Sequence, residues 1–370
     1  MTHKILSTSN LYEPKIESVL DLVYNFSDDS GRLIEGLAIQ DLEGRLCKYH
    51  KSKYCISFSS GFWALVASIT SKSIEGRNEI IMPSLTYRRL ADVAYWTKHT
   101  PVFVDINTDS LAISTNAVRE AITNNTALIL AVHPIVNCCN VNELINISKE
   151  YGIPIVFDAV ESVHETYSGK RIGSFGVGEV FSLHACKLMN GAEGGYVCTD
   201  DEQLYKRMTE FRDSSDSSNS LDSSIDSRFN DIHAILAIAS LKELEKNISH
   251  SKKIYIQYKS LLSNIPNVRL LEHDENEQTS YKNIVIEILD SSSINRDTLV
   301  TLLNKKDILA RAHYFPPLHS KHSDYKTIIT DMENTEFAAT RYVNLPCGSR
   351  VTALDVGRVC CLIEDMISNE

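Results

Sequence analysis

The chain has 370 residues, 43% hydrophobic and 23% charged, which is the composition of a globular protein of about two domains. Its formal net charge of −11 argues against a nucleic-acid partner, which would call for a basic face. No run approaches the roughly 20 apolar residues of a membrane span, and the N-terminus, MTHKILSTSNLYEPKIESVL, lacks the pattern of a signal peptide. The sequence therefore predicts a cytoplasmic protein with no membrane partner. Its nine cysteines are odd in number, form no C-x-x-C pair and lie mostly in apolar runs. They read as small buried hydrophobes, with no metal site expected.

From about 54 to 200, short β-branched runs alternate with helical patterns. The predicted strands are YCISF (54–58), EIIM (79–82), VFVD (102–105), ALILAV (127–132), PIVFD (154–158), EVFSL (179–183) and GYVCT (195–199). Several are apolar on both faces, as strands of a parallel sheet covered by helices must be. Helices are predicted between them, at 62–72, 86–97, 114–123 and 140–151, which makes a doubly wound α/β unit.

After 200 a serine-rich stretch (214–227) reads as a linker, a surface loop or an active-site loop. It precedes helical patterns near 229–248 and 250–263, a strand at 283–288, a helix at 296–305, a strand at 308–314 and a C-terminal helix from 353. This predicts a large α/β domain over 1–240 and a smaller α+β domain over 241–370.

In such sheets ligands sit at the carboxyl ends of strands, and three strand ends carry chemistry. Ser59-Ser60-Gly61, before a helix starting near Phe62, is either a plain N-cap or a cradle of free amides suited to a phosphate. Asp158 ends an apolar strand, where it either caps a turn or faces a cation such as a protonated ring nitrogen. Lys187, in SLHACKLMNGAEGG, is either a snorkelling surface residue or a buried amine. In the second case desolvation is expected to lower its pKa and make it a nucleophile toward a carbonyl. Ser182 and His184 lie just before it, and the glycines after Glu193 let backbone approach closely. A phosphate cradle, a strand-end aspartate and a buried lysine are together the parts that pyridoxal phosphate requires. Tyr87, at the predicted start of the 86–97 helix, is placed to stack on the ring.

In this order the motifs resemble those of the DegT/StrS-type sugar aminotransferases, over about residue 35 to the end. SSGFWAL is similar to the family's phosphate turn, YGIPIVFDAVES to its cofactor-aspartate strand, and FSLHACKLMNGAEGG to its S-x-H-x-x-K segment with an acid-Gly-Gly tail. The resemblance implies an α/β fold of the aspartate-aminotransferase type (fold type I), pyridoxal 5'-phosphate as cofactor, and a homodimer with its active site at the subunit interface. It implies that Lys187 forms the Schiff base and moves the proton. Asp158 would pair with the pyridine nitrogen, and Ser182 with the phosphate beside the amides of Gly61 and Phe62, in the turn that Ser60 caps. Tyr87 would stack on the ring and Glu161 would lie near the cofactor's phenolic oxygen.

KLMN after the lysine, RFNDIHAILAIASL (228–241) and ARAHYFPPLH (310–319) followed by NLPCG are similar to enzymes that aminate the 4-keto group of a nucleotide-linked 6-deoxysugar. The expected reaction is amino transfer from an amino acid, with glutamate the leading donor, to such a sugar at C4. A C3-keto substrate is the nearer alternative, and a cofactor- or sugar-nucleotide-binding regulator the non-enzymatic one. Dehydrating relatives replace the lysine by histidine, so Lys187 argues against that chemistry. His184, Arg228, Tyr314 and His319 are the candidate substrate-side residues.

Three departures stand out. Asp226 occupies the place of an asparagine that, in the family, reaches the partner's cofactor phosphate, and Arg228 is the nearest cation to offset its charge. Phe62 and Trp63 follow the turn glycine, where they either narrow the pocket or fill the core. HPIVNCCNVNEL (133–144) lacks the glycine and proline that commonly follow the family's histidine.

Overall fold

Seven predicted strands assemble, in a computed structural model that describes residues 5–8, 12–213 and 225–368, into one eight-stranded sheet. They are β1 (Tyr54–Phe58), β2 (Glu79–Pro83), β3 (Thr100–Val104), β4 (Thr126–Val132), β5 (Ile155–Asp158), β6 (Val177–Ser182) and β7 (Gly195–Thr199). The spatial order is β3-β2-β4-β5-β6-β7-β1, with Ile328–Ile329 added outside β3. All neighbours are parallel except β7, which runs antiparallel to both β6 and β1.

The continuous apolar runs follow from helices on both faces. Along β4, Ile129 and Ala131 join a core with Leu42 and Leu46 of the Leu37–His50 helix and Ile235 and Ile238 of the Asp231–Lys242 helix. Leu128, Leu130 and Val132 join the opposite core, with Leu65 and Ile69 of the Gly61–Lys72 helix. Neither face of the strand is left to water, so the usual apolar–polar alternation is lost.

A second sheet, of four antiparallel strands, has the order Val268–Leu270, Ile284–Ile288, Tyr342–Leu345, Arg311–Ala312. Ile284 and Ile286 pack there with Tyr255 and Tyr258 of the Leu244–Leu262 helix and Val359 and Ile363 of the Ala353–Ser368 helix.

Four local expectations are corrected. The helix expected at 86–97 spans only Leu90–Trp96, because the chain leaving β2 first makes tight turns, with Thr86 N–H on Ser84 and Leu90 N–H on Tyr87. The 229–248 pattern divides at Glu243 into Asp231–Lys242 and Leu244–Leu262. The strand expected at 308–314 is two short ones, Ile308–Leu309 and Arg311–Ala312, ending before a left-handed Tyr314. Ile328–Ile329, with no signal of its own in the sequence, extends the large sheet. Of the serine-rich run 214–227, residues 214–224 lie outside the described residues. No helix among the described residues is long and apolar enough to cross a membrane.

Candidate active site

Because β1, β5 and β6 share one direction and β7 opposes them, the carboxyl ends of the first three meet the start of β7 at one edge. There Ser60 caps the Gly61–Lys72 helix, its hydroxyl oxygen accepting from Trp63 N–H at 3.3 Å. Gly61 and Phe62 supply two of the first-turn amides that a helix leaves without intrahelical partners. Ser182 closes the side of this turn, since a Cβ on Gly61 would lie 3.3 Å from its Cβ and 3.4 Å from its Oγ.

The turn rests on β7. A Cβ on Gly195 would lie 2.5 Å from both N and Cα of Gly61, and backbone cannot yield there. Gly195→Ala is therefore expected to destabilise the protein by about 1–3 kcal/mol, the usual cost of overpacking, and to weaken cofactor retention. Thermal unfolding and equilibrium dialysis check both; unchanged retention would show that the turn does not need this support.

Asp158 ends β5 with 2% exposure. Its Oδ1 accepts from Val160 N–H at 3.2 Å. Burial raises its pKa to about 6, against the lowering effects of that N–H and of Lys187. Lys187 sits in the loop between β6 and β7, which Asn190 holds by donating to the carbonyls of Lys187 (3.2 Å) and Tyr12 (3.0 Å). The Lys187 ammonium is ion-paired with Oε1 of Glu161, and Lys282 Nζ lies 2.5 Å from Oε2 of the same carboxylate.

The expected fall in the Lys187 pKa is corrected. Burial is the largest single effect and acts to lower it, but the charge and hydrogen bond of Glu161, with the charges of Cys186 and Asp158, together outweigh burial and the net shift is upward. Burial likewise pushes Glu161 up, and the two lysines overcome it, holding the carboxyl down at about 2.

The other candidates divide. Tyr314, left-handed at φ 42°, is coupled electrostatically to Glu161 and Asp158, which adds to the upward push of burial on its hydroxyl. Tyr87 is half-exposed, in the turn before the Leu90–Trp96 helix rather than at its start. His184 is exposed, with Nδ1 3.1 Å from Cys186 Sγ and Nε2 3.6 Å from Glu193. His319 is engaged within the chain, with Nδ1 on Ser84 Oγ at 2.7 Å and Nε2 3.5 Å from Glu336.

Asp226 and Arg228 pair at 3.4 Å on the surface. Between them Ser227 is buried, and its carbonyl accepts from Ser59 N–H at 2.8 Å, which ties this segment to the turn. Phe62 and Trp63 pack against the core, Phe62 beneath the Arg89 guanidinium and Trp63 edge-on to Trp96. They fill space under the helix.

One feature was missed from the sequence, and the histidine that opens the 133–144 loop was noted there without a role. Lys282 is remote in the chain and has no motif around it. His133, just after β4, is buried and stacks on Phe157 at 5.3 Å. In the loop that follows, Asn137 takes the left-handed conformation (φ 65°), as asparagine can.

Whether these residues suit pyridoxal phosphate is a question of donors, charges and space. The turn offers amides to an anion, and Asp158 is a buried carboxyl whose pKa burial raises, so that a cationic ring nitrogen beside it would stabilise its charge. Among the described residues, Thr86 Oγ1, His133 Nε2 and Ser227 Oγ are buried without a hydrogen-bond partner. Thr86 and His133 follow the carboxyl ends of β2 and β4, on the edge that carries Asp158, and Ser227 lies against the turn. The residues fit the group.

A profile of the DegT/DnrJ/EryC1/StrS aminotransferase family matches residues 18–364. GDP-perosamine synthase of Escherichia coli O157:H7 is 25% identical over 344 residues, covering 91% of this chain and 92% of that protein. The crystal structure of DesI with its TDP-sugar product superposes with a TM-score of 0.90 at 25% identity, over 97% of this chain and 92% of DesI. PseC of Helicobacter pylori has the same fold, with a TM-score of 0.90 at 22% identity over 99% of this chain and all (100%) of PseC. The chain belongs to the DegT/DnrJ/EryC1/StrS family and is a fold type I, pyridoxal-phosphate-dependent aminotransferase.

Proposed function

We propose that this enzyme moves an amino group from an amino acid, glutamate first, to the C4 keto carbon of a nucleotide-linked keto-6-deoxysugar. The observation that carries the reading is the placement of a buried lysine, Lys187, against Glu161 and beside Asp158, next to a turn of free amides. The sugar class rests on two relatives, a GDP-perosamine synthase and DesI, whose structure holds a TDP-sugar product.

When bound, the cofactor supplies an aldehyde that condenses with amines and a ring that accepts the electron pair released at the reacting carbon. Each residue then has a task. The amides of Gly61 and Phe62, with Ser182 Oγ, hold the phosphate dianion at the positive end of the Gly61–Lys72 helix. Asp158 accepts a hydrogen bond from the ring N–H and keeps that proton in place, while Tyr87 covers one face of the ring. Lys187 Nζ carries the proton between the two carbons of the amino shift. Tyr314 and His319 border the substrate side, with His184 and Arg228 further out.

A second copy of the chain completes the site in this reading. Asp226 of the partner subunit reaches toward the phosphate, its charge offset by its own Arg228. We also propose that the chain divides near 240, so that the smaller unit closes over the site from the Lys282 and Tyr314 side.

The test is a two-stage reaction. Glutamate added to the coloured protein should change its visible absorbance and release one 2-oxo acid per site. The resulting protein should then aminate one of a panel of nucleotide-linked keto-deoxysugars, detected by mass spectrometry. No response to any amino acid would refute the transferase reading, and amination at C3 would refute the regiochemistry.

A further inference from the structure

We propose that Lys282 is the resident counter-cation of Glu161, a positioning residue that keeps this carboxylate ionised while Lys187 is neutral. The inference rests on the reading of Lys187 as the cofactor lysine.

Glu161 is buried and carries two ammonium partners, one on each oxygen. As a working amine, Lys187 has to lose its positive charge. A buried carboxylate left without a cation would then take up a proton. Lys282 prevents that: its side chain is 5% exposed, and its Nζ remains 2.5 Å from Oε2. Lys282 therefore holds Glu161 charged once Lys187 is neutral.

The backbone is shaped to deliver this side chain. Tyr281, one residue before it, is held at φ 51°, a conformation that a bulky residue rarely adopts. Its ring is fixed among Tyr255, His273 and the Lys252 ammonium. Strain of this kind persists only where the surroundings impose it, and it gathers at functional sites. The turn seats Tyr281 in the smaller core while Lys282 reaches Glu161 in the turn after β5, 121 residues away in the chain.

The charged and titratable groups that bear on Glu161 are Lys187, Asp158, Lys282, His313 and Tyr314. Cys186 bears on Lys187, and Cys347 is coupled to Lys282. Of these, only the two lysines are cations within hydrogen-bond distance of the carboxylate.

The experiment follows the visible absorbance of the cofactor-loaded protein against pH for the parent, Lys282→Met, Lys282→Arg and the Glu161→Gln/Lys282→Met double variant. Loss of an adjacent opposite charge moves a carboxyl pKa up by roughly 1–3 units. Lys282→Met should therefore gain a one-proton transition that the parent lacks. Lys282→Arg should restore the parental profile, and the double variant should lose the added transition. If Lys282→Met does not accumulate as folded protein, the double variant should, since it removes the stranded carboxylate as well; failure of both would assign Lys282 to packing and overturn the proposal. A Lys282→Met profile that superimposes on the parent, or a Lys282→Arg profile that matches Lys282→Met, would also overturn it. A parent that takes up no cofactor would refute the reading of Lys187 itself.

Discussion

Lys187→Ala is expected to lose the visible absorbance of the bound cofactor and at least roughly 10²–10⁴ in turnover, the contribution of a positioned acid–base group. The expectation comes from the local charge balance. Lys187 is one of two cations on Glu161, and it is the one in the loop between β6 and β7, beside Ser182 and Asp158. Lys282, on the far oxygen of Glu161, is tethered to a strained turn and is not expected to substitute for it. Glu161 retains a partner in the variant, so the protein should fold and be assayable. Absorbance spectra and initial rates decide the matter, and parental turnover in Lys187→Ala would remove the residue from the reaction.

Asp158→Asn is expected to act in opposite directions on activity and on stability. Activity should fall by roughly 10²–10³-fold, the scale for losing one preorganised electrostatic partner, because a neutral amide does not hold the ring nitrogen in its protonated form. Stability of the cofactor-free protein should rise at pH 8. The pKa of Asp158 is about 6 in the folded protein, against 3.8 for an ordinary aspartate. A carboxyl raised in the folded state binds its proton more tightly there. The stability this confers is complete below the unfolded pKa and is lost as pH climbs through the folded one. Two pKa units correspond to about 3 kcal/mol at most. The variant should therefore melt above the parent at pH 8, with the difference closing toward pH 4. Melting curves at the two pH values check the sign, and a variant less stable than the parent at pH 8 would contradict it.

The large sheet was legible because each of its first seven strands is short and apolar, and the first four are each followed by a helical pattern. Ile328–Ile329 was not, since two residues make no period and their partner, β3, lies far back in the chain. Ser60, Gly61 and Asp158 could be singled out because each ends a strand or opens a helix, and Lys187 because it follows an apolar strand among small and apolar neighbours. Lys282 could not, because YKNIVIEI reads only as a strand with one charge near its start, and its partner is defined by tertiary folding. The direction of the Lys187 pKa was misread for the same reason. Burial is visible in the local sequence, whereas a glutamate held across the site is not.

The most direct test of the account is to locate the cofactor's attachment chemically. Borohydride makes the reversible lysine–cofactor bond permanent, and peptide mass spectrometry then identifies the lysine that carries it. Among the described residues three mostly buried lysines compete on burial alone, Lys72, Lys187 and Lys282. The account requires the cofactor mass on the peptide containing Lys187 and unmodified peptides for the other two. Attachment at Lys282 or Lys72, or at no lysine, would contradict it.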